Sequence, residues 1–186
     1  MEVGEAIRGR RSIGRLAGAV SRQAIAELIG GAVRAPNHHL TEPWRFTVVQ
    51  GEGRRRLGEF WGKRAAEVAG LSGEAAEKYA EGESGKTLRA PVLIVVSVRT
   101  DPDPVVASED QSAAAAAIQN ILLAAHGCGL GAIWRTGKMV YDDAIKRFLG
   151  LDPSDRILGV VYLGQPAAEP KEKPEPKRHD VIAWFE

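Results

Sequence analysis

The spacing of apolar residues along the 186-residue chain predicts helices interleaved with a smaller number of strands. Ala6 and Ile7, then Ile25, Leu28, Ile29, Ala32 and Val33, recur at the helical period, and Ser21 is placed to cap the second of these amphipathic helices. Arg45 to Gln50 alternates and is β-branched, the pattern of a short strand ending at Gly51. Residues 52 to 82 are rich in Glu, Lys, Arg and Ala, with Phe60, Trp61, Val68 and Leu71 scattered among them. This predicts one or two surface helices broken near Gly70 to Gly73. Ala90 to Val98 is an apolar, β-branched run too short for a buried helix, hence a central strand covered on both faces. Ser112 to Ala125 joins high helix propensity to small side chains and ends in a Gly-rich turn, as a core or interface helix would. Gly131 to Thr136 and Arg156 to Leu163 read as strands, and Asp142 to Leu149 as a helix.

The polar tract from Gln165 to Arg178 predicts an extended arm, followed by an apolar end, 179–186, that carries Trp184 and Phe185. Those rings need a covering surface, supplied either by the chain's own domain or by a partner subunit. No repeat or second composition zone interrupts the chain, so a single domain over 1–186 is expected, and 44% hydrophobic content is enough for its core. With 25 Lys and Arg against 24 Asp and Glu, the net charge of +1 offers no global field for nucleic acid or an acidic membrane. Neither is expected as a partner, and any anion site must be local. The N-terminus lacks the apolar core of a signal peptide and no apolar run is long enough to span a bilayer, so the expected location is cytoplasmic. The single cysteine, Cys128, can form neither an internal disulfide nor a thiolate cluster, and its glycine-rich setting suggests a small buried filler.

Three segments carry candidate chemistry. Arg8 to Arg15 (RGRRSIGR) concentrates cations where the first helix ends. Arginine offers planar, paired donors to phosphate oxygens, and a neighbouring serine adds a hydroxyl; a solvated charged face is the plainer alternative. Arg34 to Phe46 (RAPNHHLTEPWRF) is a loop stiffened by two prolines that would present Asn37, His38, His39 and Thr41 to a ligand, or simply to water. Adjacent histidines lack the spacing of a zinc pair, so no metal is expected. Gly127 to Gly137 (GCGLGAIWRTG) permits close backbone approach, but a helix precedes it and a strand follows, the reverse of a dinucleotide fingerprint. No G-x-S-x-G elbow occurs.

Taken in this order, RRSIGR, APNHHLTEPWRF and GLGAIWRTG resemble the nitroreductase family of FMN enzymes almost end to end. The likeness is closest to the short, single-domain members, which share the Trp-Arg-Ser/Thr-Gly segment found here at Trp134 to Gly137. The resemblance implies an α+β fold, with a mixed, mostly antiparallel sheet flanked by helices. It also implies a homodimer with FMN at the subunit interface and an exchanged C-terminal arm. Arg10, Arg11 and Ser12 would hold the FMN phosphate and ribityl chain, Trp134, Arg135 and Thr136 would line the same cofactor, and Arg34 and His38 would arrive from the other subunit. Ala124, Ala125, His126, Gly127, Cys128 and Gly129 match the stretch associated with the nicotinamide cofactor.

The chain departs from the family where Gly14 replaces a common basic residue, leaving Arg15, Arg34 or Arg135 to substitute, and where Leu40 and Glu42 replace Asn and Gln. Lys177 and Arg178 resemble a basic pair that completes the phosphate site in larger members. The implied activity is NAD(P)H-dependent, ping-pong reduction of small electrophiles such as nitroaromatics or quinones, with no obligatory catalytic side chain. Related folds offer reductive dehalogenation or flavin breakdown as an alternative; a noncatalytic flavin-binding module and a phosphate-binding protein without flavin are alternatives of other classes.

Overall fold

A strand buried along its whole length organises the computed structural model, which describes residues 1–169 and 181–185. The elements run α1 (Val3–Gly9), β1 (Leu16–Ala17), α2 (Arg22–Ala32), β2 (Trp44–Gln50), α3 (Glu52–Val68), α4 (Gly73–Ser84) and β3 (Val92–Val98). They continue with α5 (Pro104–Gly127), β4 (Gly131–Arg135), α6 (Asp143–Phe148) and β5 (Arg156–Pro166), with short 3-10 turns between some of them. All pairings are antiparallel among the described residues: β2 with β3, β3 with β5, and β5 with both β4 and β1. The result is an α+β fold in which helices cover both faces of one antiparallel sheet.

Alternation along β3 decides which helix each face receives. Val92, Ile94, Val96 and Val98 join Ile25, Leu28 and Ala32 of α2 and the Ala and Ile residues of α5 in one core. Leu93 and Val95 point the other way, into a second core with Leu57, Trp61 and Ala65 of α3 and Ile145 of α6. Each large apolar side chain buried in this way contributes roughly 1.5–3 kcal/mol. Small residues at Ala113, Ala114, Ala117 and Ala125 let α5 lie close to the sheet, as the alanine run predicts.

The helix starts follow local chemistry. Ser21 Oγ accepts from the Ala24 amide at 3.1 Å, and Asp103 accepts from the amides of Val105 and Val106 ahead of Pro104. Asp142 caps α6 through Ala144 N–H at 2.8 Å and also accepts from Arg64 Nε at 3.1 Å, tying α6 to α3.

Several boundaries differ from the sequence pattern. The central helix begins eight residues earlier than the alanine run, at Pro104, because Asp103 caps it there. Gln165 and Pro166, expected in the extended arm, belong to β5 and pair with β1. The segment 52 to 82 does form two helices broken at Gly70 to Gly73, but α3 is a core helix that buries Trp61, not a surface one. Cys128 is exposed, because it caps the outward-facing end of α5 and is no core filler. The arm from 170 to 180, with Lys177 and Arg178, lies outside the described residues. Residues 181–185 are exposed, so the apolar end is not buried against its own domain. No helix among the described residues is long and apolar enough to cross a membrane.

Helices α3 and α4 touch through a glycine face. A Cβ placed on Gly62 would overlap Ala80 O and Ser84 Oγ, and one on Gly58 would sit 2.8 Å from Ser84 O. A Gly62→Ala substitution must therefore push α4 outward, with an expected loss of about 1–3 kcal/mol. Urea unfolding measures it, and unchanged stability would contradict this packing.

Candidate functional site

Two distant stretches of sequence meet at one sheet edge. Strand β5 pairs with β4 through Val160 to Gly164 and with β1 through Gln165 and Pro166. The loop before β1 runs against β4. Ile13 N–H donates to Ala132 O at 3.0 Å, and Ile13 and Leu16 pack on the bare Cα of Gly131. This carries Arg10, Arg11 and Ser12 to the neighbourhood of Trp134, Arg135 and Thr136, joining two of the three candidate segments. Arg10 and Arg11 are half-buried and Ser12 is exposed; Arg11 Nε donates to Gly9 O at 3.2 Å.

Arg135 is the cation that the fold brings to Gly14. An ideal Cβ at position 14 would lie 3.4 Å from Arg135 Nη2, so the guanidinium occupies the ground next to this bare backbone. Arg135 also stacks over Tyr162, with Cζ 5.4 Å from the ring centroid, and its buried Nε has no hydrogen-bond partner among the described residues. Burial pushes the Tyr162 phenol above its ordinary value, while the charges of Arg135 and then Arg89 pull it part of the way back. Trp134 turns to the opposite face, where Nε1 donates to Leu158 O at 3.4 Å.

A cavity of about 500 Å³ opens beside Arg135, Thr136 and Gly137. Trp61 of α3, Tyr79 of α4 and Tyr162 of β5 give it aromatic walls, and Met139, Val140 and Val160 add apolar surface. Lys86, Arg89 and Lys138 stand at the same cavity with Arg135. Trp61 is 8% exposed, and its indole N–H is a second buried donor without a partner among the described residues. Phe60 does not line this cavity and stacks on Phe148 instead, with centroids 4.5 Å apart. Sequence pattern did not single out Tyr162, Tyr79, Lys86, Arg89 or Lys138, because alternation places Tyr162 on the inner face without saying what opens there.

The third segment stands apart. The proline loop contains three non-glycine residues with left-handed backbone, His39 (φ 56), Leu40 (φ 53) and Glu42 (φ 44), a costly conformation held by specific contacts. Thr41 Oγ1 donates to the buried Asp110 at 2.6 Å, Asn37 Oδ1 accepts from Glu42 N–H, and His38 Nδ1 lies 2.8 Å from Glu109 Oε2. His38 is thus anchored near the start of α5. The Arg10 loop instead adjoins the end of α5, where a Cβ on Gly9 would lie 2.8 Å from His126 Nε2. Glu109 and His126 are roughly 25 Å apart along the helix at ~1.5 Å per residue. Within one chain, His38 does not reach Arg10. Arg34 is exposed just beyond α2. Of the remaining candidates, Ala124 is half-buried and Ala125 fully buried in the last turns of α5, while Gly127, Cys128 and Gly129 are exposed around its end. No cluster of potential metal ligands occurs among the described residues.

Fold and site together define an α+β protein in which a cationic N-terminal loop approaches Arg135, and an aromatic-walled cavity opens beside Arg135 and Thr136. The sequence model of the nitroreductase family matches residues 7–165, and the chain belongs to that family. YdjA of Escherichia coli strain K12, provisionally named an NAD(P)H nitroreductase, is 31% identical over 168 residues, which cover 89% of each chain. Among solved structures, a nitroreductase-like family protein from Bacillus cereus superposes with a TM-score of 0.87 at 29% identity, covering 100% of this chain and 97% of that one. A provisionally named nitroreductase from Desulfovibrio desulfuricans, solved in complex with FMN, gives a TM-score of 0.71 at 28% identity over 95% of this chain and 93% of its own.

The field around Tyr162 yields a direct test. One of the three tyrosines should ionise above the ordinary phenol range in ultraviolet difference titration. Arg135→Leu removes the leading positive charge there and should move that titration further up; a downward move would exclude the assigned contact.

Proposed function

We propose that the chain is an FMN-dependent NAD(P)H oxidoreductase that reduces small electrophiles such as nitroaromatics and quinones, and that it works as a homodimer. The observation that carries this reading is the approach of the loop after Arg10–Ser12, at Ile13 and Gly14, to Ala132 and Arg135, beside an aromatic-walled cavity that Arg135 and Thr136 line. The residues present fit the cofactor. A local cation cluster suits a phosphate, and the cavity is of the size that small-molecule sites have.

In this reading Arg10, Arg11 and Ser12 hold the phosphate and ribityl chain, Arg135 and Thr136 border the ring from the cavity side, and Trp134 lines the cofactor from the other face of β4. Bound FMN supplies two-electron hydride chemistry between NAD(P)H and the electrophile. The protein's part is to orient, to screen and to exclude water. Arg135 keeps a fixed positive charge beside Gly14, in the role for which many members carry a basic residue at that position. Trp61, Met139 and Val140 make the cavity wall apolar, so a flat reactant sheds water on entry. One cavity then receives donor and acceptor in turn, which predicts ping-pong kinetics. The end of α5, from Ala124 to Gly129, is the proposed nicotinamide side, and the cytoplasm, which supplies NAD(P)H, is the proposed location.

Three features support the dimer. Helix α1 buries no residue within one chain, residues 181–185 are exposed, and His38 stands at the far end of α5 from Arg10. A second copy would cover the first two and bring Arg34 and His38 to the site.

Purified protein should be yellow, bleach with NAD(P)H under anaerobic conditions and recover its colour on adding a nitroarene. Colour that persists with both nicotinamides would sink the reductase reading. Arg10→Ala should weaken FMN binding by about 1.5–3 kcal/mol through loss of a charge-assisted contact, read by fluorescence titration; unchanged affinity would remove Arg10 from the phosphate site.

A further inference from the structure

The cavity carries more positive charge than a neutral reactant needs. Lys86, Arg89, Arg135 and Lys138 line it against one carboxylate, Glu83, and that carboxylate is engaged by Lys86. Arg89 and Lys138 are exposed at the rim and make no ion pair among the described residues. The chain as a whole is nearly neutral, so this concentration is local. Beneath the rim, Trp61 and Tyr162 contribute aromatic lining. A flat ring with an acidic substituent matches both features: aromatic lining for the ring and rim cations for the acid.

We infer that this cavity selects aromatic acceptors bearing a carboxylate, with the acid held at Arg89 and Lys138 and the ring against Trp61 and Tyr162. The inference rests on the flavin reductase reading for the fate of the ligand, but its binding preference is measurable without turnover. A neutral ligand of equal shape leaves the rim cations with water as their only counterpart, whereas the carboxylate gains charge-assisted hydrogen bonds in a partly desolvated site.

The test is isothermal titration of the full-length, FMN-loaded protein with 4-nitrobenzoate and with its neutral counterpart 4-nitrobenzamide. The acid should bind about tenfold more tightly. The advantage should shrink as ionic strength rises. The double variant Arg89→Gln/Lys138→Gln, changed only at exposed side chains, should bring the two affinities together while retaining its flavin. Equal affinity of acid and amide for the unaltered protein would overturn the inference. So would loss of flavin in the double variant, which would assign the rim cations to the cofactor. Flavin bleaching by NAD(P)H is scored separately, so a reductase without acid preference refutes this inference alone, and an unbleached flavoprotein refutes the function.

Discussion

Strand β5 pairs with three other strands, and the site depends on that arrangement. Eleven residues long, it pairs with β3 from Arg156 to Leu163, with β4 from Val160 to Gly164 and with β1 at Gln165 and Pro166. Antiparallel pairing fixes the register of each, because a slip by one residue would turn the apolar set of β4 away from the core. The loop ahead of β1 runs against β4, where Ile13 N–H donates to Ala132 O. The arginines of that loop and the Trp-Arg-Thr segment, separated by over a hundred residues, become neighbours as a consequence of sheet pairing.

The same alternation sorts the chemistry between the two faces of the sheet. Arg135 and Tyr162 fall on the face covered by α3, where the core stops short of the sheet edge and leaves the cavity; Trp134 falls on the other. Glycines at 58 and 62 hold α4 against α3, and Tyr79 of α4 thereby becomes part of the cavity wall. Stability and site geometry are linked at this contact. A helix displaced by one added methyl group at Gly62 would also displace the aromatic wall.

Helix α5 acts as a ruler. Its capped start carries the partners of the strained proline loop, Glu109 and Asp110, and its end adjoins the Arg10 loop through His126. An α-helix does not shorten, so the two candidate segments cannot converge within one chain. This rigid separation, with the uncovered faces of α1 and residues 181–185, is the physical ground for the proposed dimer.

Period and propensity were enough to read most elements from the sequence. The buried strand at Val92 to Val98, the alanine-rich helix, the break between α3 and α4 and the strand around Arg135 all follow from local patterns, because burial on one or two faces imposes its own spacing. The ordered motifs likewise marked Arg10 to Ser12 and Trp134 to Thr136, whose types suit phosphate and ring. Patterns of this kind do not report which surfaces face each other. The exposure of Cys128, the burial of Trp61, the approach of Arg135 to Gly14 and the assembly of Lys86, Arg89 and Lys138 around one cavity were decided only by tertiary structure, since each is set by contacts between residues far apart in the chain.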